Sequence, residues 1–219
     1  MPRLVRLKIL SSLSGLFLGL FLVAHMMGNL KYFAGAEALD SYAIFLREVG
    51  KEFLGKGVAL WIFRLLLLTA LLVHLYSTTL LYKLSAKSKG DYSMIHRSCS
   101  SLASRNMLIL GVLVLTFVVF HILHLTLGLV HPEGFRHLAV HNNVTVSFSK
   151  FSYLIAYLIG VGAVALHFSV GARSLAQSLG WTEVSKRSTQ IISQAVALVL
   201  FLGFMSVPFF VYIQSLYAR

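Results

Sequence analysis

The chain is short of the residues that covalent scaffolds and soluble domains rely on. Its one cysteine, Cys99, excludes a disulfide framework, a cysteine-held iron–sulfur cluster and the C-x-x-C-H attachment of a covalent cofactor. Three prolines in 219 residues leave little to interrupt helices. Acidic side chains are also scarce, with seven Asp and Glu against 19 Lys and Arg for a formal net charge of +12. All seven (Glu37, Asp40, Glu48, Glu52, Asp91, Glu133 and Glu183) lie outside the long apolar runs. A balance this basic could suit nucleic acid. The Lys and Arg residues, however, sit in short loops between apolar runs, as membrane topology signals do, and no nucleic-acid partner is expected.

What the chain has in quantity is apolar surface. With 58% hydrophobic residues and a mean hydropathy of +0.81, it holds more than a soluble domain of this length could hide from water. The first apolar segment is too long for a signal h-region and ends in HMMGNLKYF without a small-x-small cleavage pattern, so it reads as a retained helix. Five runs reach spanning length, near 9–30, 58–81, 107–130, 151–170 and 191–214. The expectation is one all-α domain over 1–219, an integral membrane bundle of five transmembrane helices in the cytoplasmic membrane. Eleven of the 19 basic residues fall in the N-terminus and the second and fourth linkers, which places the N-terminus on the cytoplasmic side and the C-terminus outside. In the 31–57 linker, DSYAIFLREVGKEF reads as an amphipathic helix at the interface, and Pro132 is expected to end the third span.

Nine histidines punctuate this chain, and five of them (His25, His74, His121, His124 and His167) fall inside apolar spans. Ionisable groups in a span are costly and usually face the bundle interior for a functional reason. Depth can be read from the topology and a rise of about 1.5 Å per residue. His25 and His121 fall in the outer leaflet, roughly five and nine residues from the outer ends of their helices. His74 and His167 fall in the inner leaflet, roughly seven and three residues from the inner ends. Two layers of two imidazoles, about 12 to 15 Å apart along the membrane normal, suit two bis-histidine haems stacked across a bundle. Small residues recur nearby: Ser14 before His25, Ala70 before His74, and Ala163 and Gly171 either side of His167. The competing reading is four isolated polar residues making interhelical hydrogen bonds. His124, one turn beyond His121, reads either as a partner of the ligand layer or quinone site, or as a packed histidine. His131, His137 and His141 in the outer linker and His96 in an inner one read as solvated loop residues.

Three features together carry a resemblance: AHMMGNLKYFAGAEALDSYAIFLR at 24–47, FHILHLTLG at 120–128, and single histidines on the second and fourth helices. Across essentially its whole length the chain resembles the succinate dehydrogenase/fumarate reductase cytochrome b subunit in its five-helix, two-haem form. The resemblance implies a membrane anchor for a flavoprotein subunit and an iron–sulfur subunit docked on the cytoplasmic side, with two haems b as cofactors. It implies His74 and His167 as axial ligands of the haem nearer the iron–sulfur subunit, and His25 and His121 as ligands of the distal one. It further implies a quinone, usually menaquinone, reacting near the distal haem, for which Asn29, Lys31, Trp61, Arg64 and His124 are the candidates. Arg64 could hold a propionate or a quinone carbonyl, or snorkel along lipid, and Trp61 could equally be an interfacial belt residue. Ser11, Ser12, Arg105 and Arg173 are candidate contacts of the proximal propionates, although positive-inside charge alone accounts for the two arginines.

The chain departs from relatives that place a glutamate inside a span to relay protons, since position 165, two before His167, is alanine. Electron transfer to an outer quinone is then expected to be electrogenic unless water or histidines carry protons. Two alternatives remain open. One is the cytochrome b subunit of another quinone-linked complex, of hydrogenase or formate dehydrogenase type. The other is a proton-coupled transporter with histidine relays, which predicts interrupted helices, whereas the spans contain one proline, Pro208.

Overall fold

A backbone immersed in hydrocarbon must satisfy its own hydrogen bonds, and apolar runs of this length do so as helices. The computed structural model describes residues 3–87, 106–178 and 186–218. Among these, every regular element is helical, and five helices are long and apolar enough to cross a membrane. In chain order the helices are α1 (Arg3–Leu30), α2 (Ala36–Glu48), α3 (Lys51–Leu54), α4 (Val58–Lys87), α5 (Met107–His121), α6 (Val140–Phe148), α7 (Phe151–Ser178) and α8 (Lys186–Tyr217). The spanning helices α1, α4, α7 and α8 have 28 to 32 residues, about 42 to 48 Å at 1.5 Å per residue. Each outreaches a hydrocarbon core of about 30 Å, so their ends extend into the interfacial layer.

The third crossing is shorter than the 107–130 expected. Helix α5 passes into a π-helical turn over Ile122–Thr126, and Leu127 N–H donates to the Ile122 carbonyl at 2.9 Å. Gly128 then takes φ +72°, which ends the helix four residues before Pro132. A Cβ at Gly128 would also run into the Phe135 ring. The stop is therefore a left-handed glycine under an aromatic ring, and Pro132 lies beyond it.

The helix expected in the 31–57 linker is present but displaced toward its start. It covers Ala36–Glu48 and breaks at Gly50, whose φ is +71°, before the short α3. Its Leu39 is buried in the bundle while Phe45 faces out. The 131–150 linker holds a helix that was not expected, α6. Asn143 clamps it to the preceding loop by accepting from the Arg136 N–H at 3.1 Å and donating to the Arg136 carbonyl at 2.8 Å. Asp40 Oδ1 accepts from His141 N–H at 2.9 Å, and the Tyr32 and Thr145 hydroxyls meet at 2.8 Å, tying α6 to the end of α1 and to α2.

These ties close the end of the bundle reached by the C-terminus of α1, hereafter the far end. Its core is Tyr32, Leu39, Phe148, Tyr157, Val207 and Val211. Between the spans, α1 packs along α4, α8 along α7, and α5 along α7, while α1 also touches α7 and α8. Neither α1 with α5 nor α4 with α7 is a closely packed pair among the described residues. Those two pairs are joined instead by their histidines.

Candidate functional site

The rings of His25 on α1 and His121 on α5 lie with centroids 5.8 Å apart and planes at 81°. The rings of His74 on α4 and His167 on α7 lie 6.2 Å apart at 73°. Four helices thus contribute one imidazole each, in the two pairs that the depth estimate matches. All four residues are half-buried, whereas His124 is fully enclosed at 0% exposure.

The pair toward the N-terminal end of α1 is set by that helix's backbone. His74 Nδ1 lies 3.2 Å from the Ser11 carbonyl and 3.3 Å from Ser14 Oγ. A carbonyl only accepts, so Nδ1 carries the proton and Nε2 keeps its lone pair. Ser14 in turn donates to the Leu10 carbonyl at 2.6 Å, which places it beside His74 and not in the layer of His25. Gly15 makes the close approach possible, because a Cβ there would lie 3.2 Å from His74 Cε1. His167 has no such anchor among the described residues, and its Nδ1 is buried without a hydrogen-bond partner.

The far-end pair is lined by rings. His25 stacks on Phe21 at 5.2 Å and meets Phe204 at 5.8 Å, and Phe117 lies 6.0 Å from His121. His121 Nδ1 is 3.1 Å from the Tyr157 hydroxyl on α7, which also lies 2.9 Å from His124 Nδ1. His124 Nε2 is 2.9 Å from Ser147 Oγ on α6. Both His124 nitrogens are thus engaged inside the protein.

Two of the linker histidines differ from the solvated reading. His131 Nε2 lies 3.1 Å from the Asn143 carbonyl and its Nδ1 is buried unpartnered, while its ring stacks on His124 at 5.6 Å. His141 stacks on Tyr32 at 4.3 Å, nearly parallel at 6°. Helix α6 turns what reads as a loop into a packed cap, and that burial overrides the polarity of the segment.

Of the remaining candidates, Arg64 lies over the Trp61 ring at 5.0 Å, and Trp61 is 61% exposed. Lys31 lies over Tyr42 at 5.1 Å, and Asn29 is half-buried one turn beyond His25. Arg47, not singled out by its sequence context, has a guanidinium held below its ordinary value by burial and by the neighbouring Arg64 charge. Ser11 takes part through its carbonyl, Ser12 and Arg173 are half-buried toward the N-terminal end, and Arg105 and His96 lie outside the described residues.

Tyr157, Ser147 and Asn143 are the residues that depth and histidine counting miss. A tyrosine deep in an apolar span needs a partner for its hydroxyl, and that was the one signal available for Tyr157.

Chemically, the spacing of each pair can be set against that of two imidazoles bound to one metal. A metal–imidazole bond of about 2.0 to 2.1 Å, with about 1.1 Å more to each ring centre, places two trans imidazole centroids about 6.3 Å apart. The observed 5.8 and 6.2 Å are close to that span. Among the described residues no three His, Cys, Asp or Glu side chains converge to hold an ion by themselves. Two imidazoles at that separation leave room for one metal between them, as the axial positions of a planar macrocycle require. Comparison of the chain with protein families, with curated proteins and with solved structures finds no match in any of the three.

Proposed function

We propose that this chain is the di-haem cytochrome b membrane anchor of a succinate:quinone oxidoreductase. In this reading it passes electrons between an iron–sulfur subunit on the cytoplasmic side and a membrane quinone, of which menaquinone is the expected one. The observation that carries it is the pair of imidazole pairs, at trans-coordination spacing, drawn from four helices at two depths. His74 and His167 would hold one haem b, and His25 and His121 the other. Each haem, when bound, supplies a one-electron iron couple whose potential is tuned by its axial ligands and their hydrogen bonds.

The residues of the chain do the rest. Ser11 orients His74, and Tyr157 touches His121, so that each ring presents a chosen nitrogen. Phe21, Phe117 and Phe204 keep the far-end pair dry. The basic N-terminus and even-numbered linkers mark the side on which the flavoprotein and iron–sulfur subunits dock, and this chain itself does not touch succinate. On the opposite side Asn29, Lys31, Trp61 and Arg64 line the expected quinone approach, with Arg64 a charge-assisted donor to a carbonyl oxygen. His124 is too enclosed to meet a quinone and belongs with the residues behind His121.

The test is a reduced-minus-oxidised spectrum of the purified membrane complex with a pyridine haemochrome count. Two haems b per chain, with flavin and iron–sulfur subunits copurifying, are expected. Two haems with a hydrogenase or formate dehydrogenase subunit would reassign the complex. No Soret absorbance would overturn the reading and leave the histidine-relay transporter in its place.

A further inference from the structure

Behind His121 lies a run of hydrogen bonds that ends on a main-chain carbonyl, and its direction can be worked out from that end. Ser147 Oγ lies 2.7 Å from the Asn143 carbonyl, a separation at which two oxygens repel unless a proton sits between them. The carbonyl has no proton, so Ser147 donates it. Ser147 has one hydrogen, so toward His124 Nε2, 2.9 Å away, its oxygen can only accept. His124 Nε2 therefore carries the proton of that ring. No acidic side chain lies within the spans to balance a second one. His124 Nδ1 is then a lone pair, and the Tyr157 hydroxyl donates to it across 2.9 Å. The Tyr157 oxygen is left to accept from His121 Nδ1–H at the longer distance of 3.1 Å. With Nδ1 protonated, His121 Nε2 is bare.

We infer that Tyr157 is a positioning residue that relays the polarity of the Asn143 carbonyl, through Ser147 and His124, to His121 and holds that ring in its Nε2-coordinating tautomer. This rests on the di-haem reading; it fixes the direction of the Tyr157 contact on α7 and gives a role to Ser147 on α6 and His124 on the π-helical turn. The turn itself is part of the device. The Ile122–Thr126 segment carries His124 between Tyr157 and Ser147, and π-helical turns are frequent where a side chain must be re-aimed at a functional site.

The relay makes a prediction opposite to that of packing. Tyr157 touches Phe117, Phe120, Phe148 and two histidines, so if it were only a filler its replacement would be the most damaging of the three. As a relay its hydroxyl does most harm when its acceptor is removed. In His124→Leu the Tyr157 proton has one remaining acceptor, His121 Nδ1, which favours the tautomer that cannot coordinate through Nε2.

The experiment measures haem loss and a redox titration of the whole complex for Tyr157→Phe, His124→Leu and Ser147→Ala. The far-end haem is identified as the one missing when His25 is replaced. Tyr157→Phe is expected to keep that haem, to lose it about tenfold faster, and to raise its potential, because an imidazole without an acceptor at Nδ1 donates less to the oxidised iron. His124→Leu is expected to approach a hundredfold, the upper end of such effects. Ser147→Ala, the mildest change to the fold, moves both readouts in the same direction by less. The haem held by His74 and His167 is unchanged in all three. A wild-type complex without haem removes the di-haem reading and this inference together. Two haems in the wild type, with Tyr157→Phe worse than His124→Leu or with the far-end potential unmoved, overturn the relay alone.

Discussion

His74 reaches its acceptor in one step, at the Ser11 carbonyl 3.2 Å away, whereas His121 reaches one through Tyr157, His124 and Ser147. Both routes end on a main-chain carbonyl, and both leave Nε2 as the bare nitrogen. The direct route depends on α1 coming close to α4, which Gly15 permits and which side-chain substitution at Ser11 would not disturb. The relayed route depends on three side chains and on α6 closing the far end. One layer is thus built into the backbone, and the other can be adjusted by mutation.

The largest expected effect comes from the four imidazoles. Replacing His25 or His121 by Leu should remove the far-end haem alone, and replacing His74 or His167 by Leu should remove the other alone, each lowering the haemochrome count from two per chain to one. Loss of both haems from any single change would mean that the layers are not independent.

Next comes a property of the two layers in series. All the carboxylates whose positions are described, Glu37, Asp40, Glu48, Glu52 and Glu133, lie on α2, α3 or the loop beyond α5, outside the spans. In the proposed reading, electrons passing from the His74 layer to a far-end quinone would carry charge outward, with no carboxylate path for protons beside them among the described residues. At about 2.3 kcal/mol per charge per 100 mV, an outside-positive potential assists that transfer. In sealed vesicles already energised outside-positive, an uncoupler should slow quinone reduction by succinate severalfold and speed the reverse reaction. Rates indifferent to it in both directions would place a proton path inside the bundle.

A third prediction tests the backbone-built layer. In Gly15→Val the new Cβ would stand 3.2 Å from His74 Cε1 and 3.4 Å from Nδ1, with two methyls beyond it. Overpacking of this kind costs about 1 to 3 kcal/mol. Part of that falls on the position of His74, so occupancy of its haem should drop while the far-end haem stays. Gly162→Ala, whose Cβ would stand 4.0 Å from Phe201 Cε2, is the control and should leave both haems in place.

The contrast between the layers also explains what could be read from the chain alone. Hydropathy and helical rise are one-dimensional, and the five crossings and the two depths follow from them. The end of α5 does not, because it depends on Gly128 adopting a positive φ beneath Phe135, which comes back from seven residues later. Nor does the use of Ser14, whose depth suggested room below His25 but whose direction around α1 points it at His74. The relay is less legible still. Ser147 sits in a polar stretch that folds as α6 only because Asn143 clamps it and Phe148 buries against Tyr157. Azimuth and cap packing, which a hydropathy trace does not contain, decide these contacts.

The smallest expected effect separates the two modes of support most sharply. Ser14 touches His74 Nδ1 at 3.3 Å, but its own proton goes to the Leu10 carbonyl at 2.6 Å, so toward the ring it is a second acceptor beside the Ser11 carbonyl. Removing one of two acceptors costs about 0.5 kcal/mol, the low end of a hydrogen bond's net contribution, and the carbonyl that remains still dictates the tautomer. Ser14→Ala should therefore leave the haem of His74 in place, with its potential little moved and its loss accelerated by less than about threefold. Tyr157→Phe removes the hydrogen-bond partner that His121 Nδ1 has among the described residues and should act several times more strongly on the far-end haem. If redox titration and haem-loss rates instead show Ser14→Ala equal to Tyr157→Phe, the Ser11 carbonyl is not the anchor, and both layers are held by side chains.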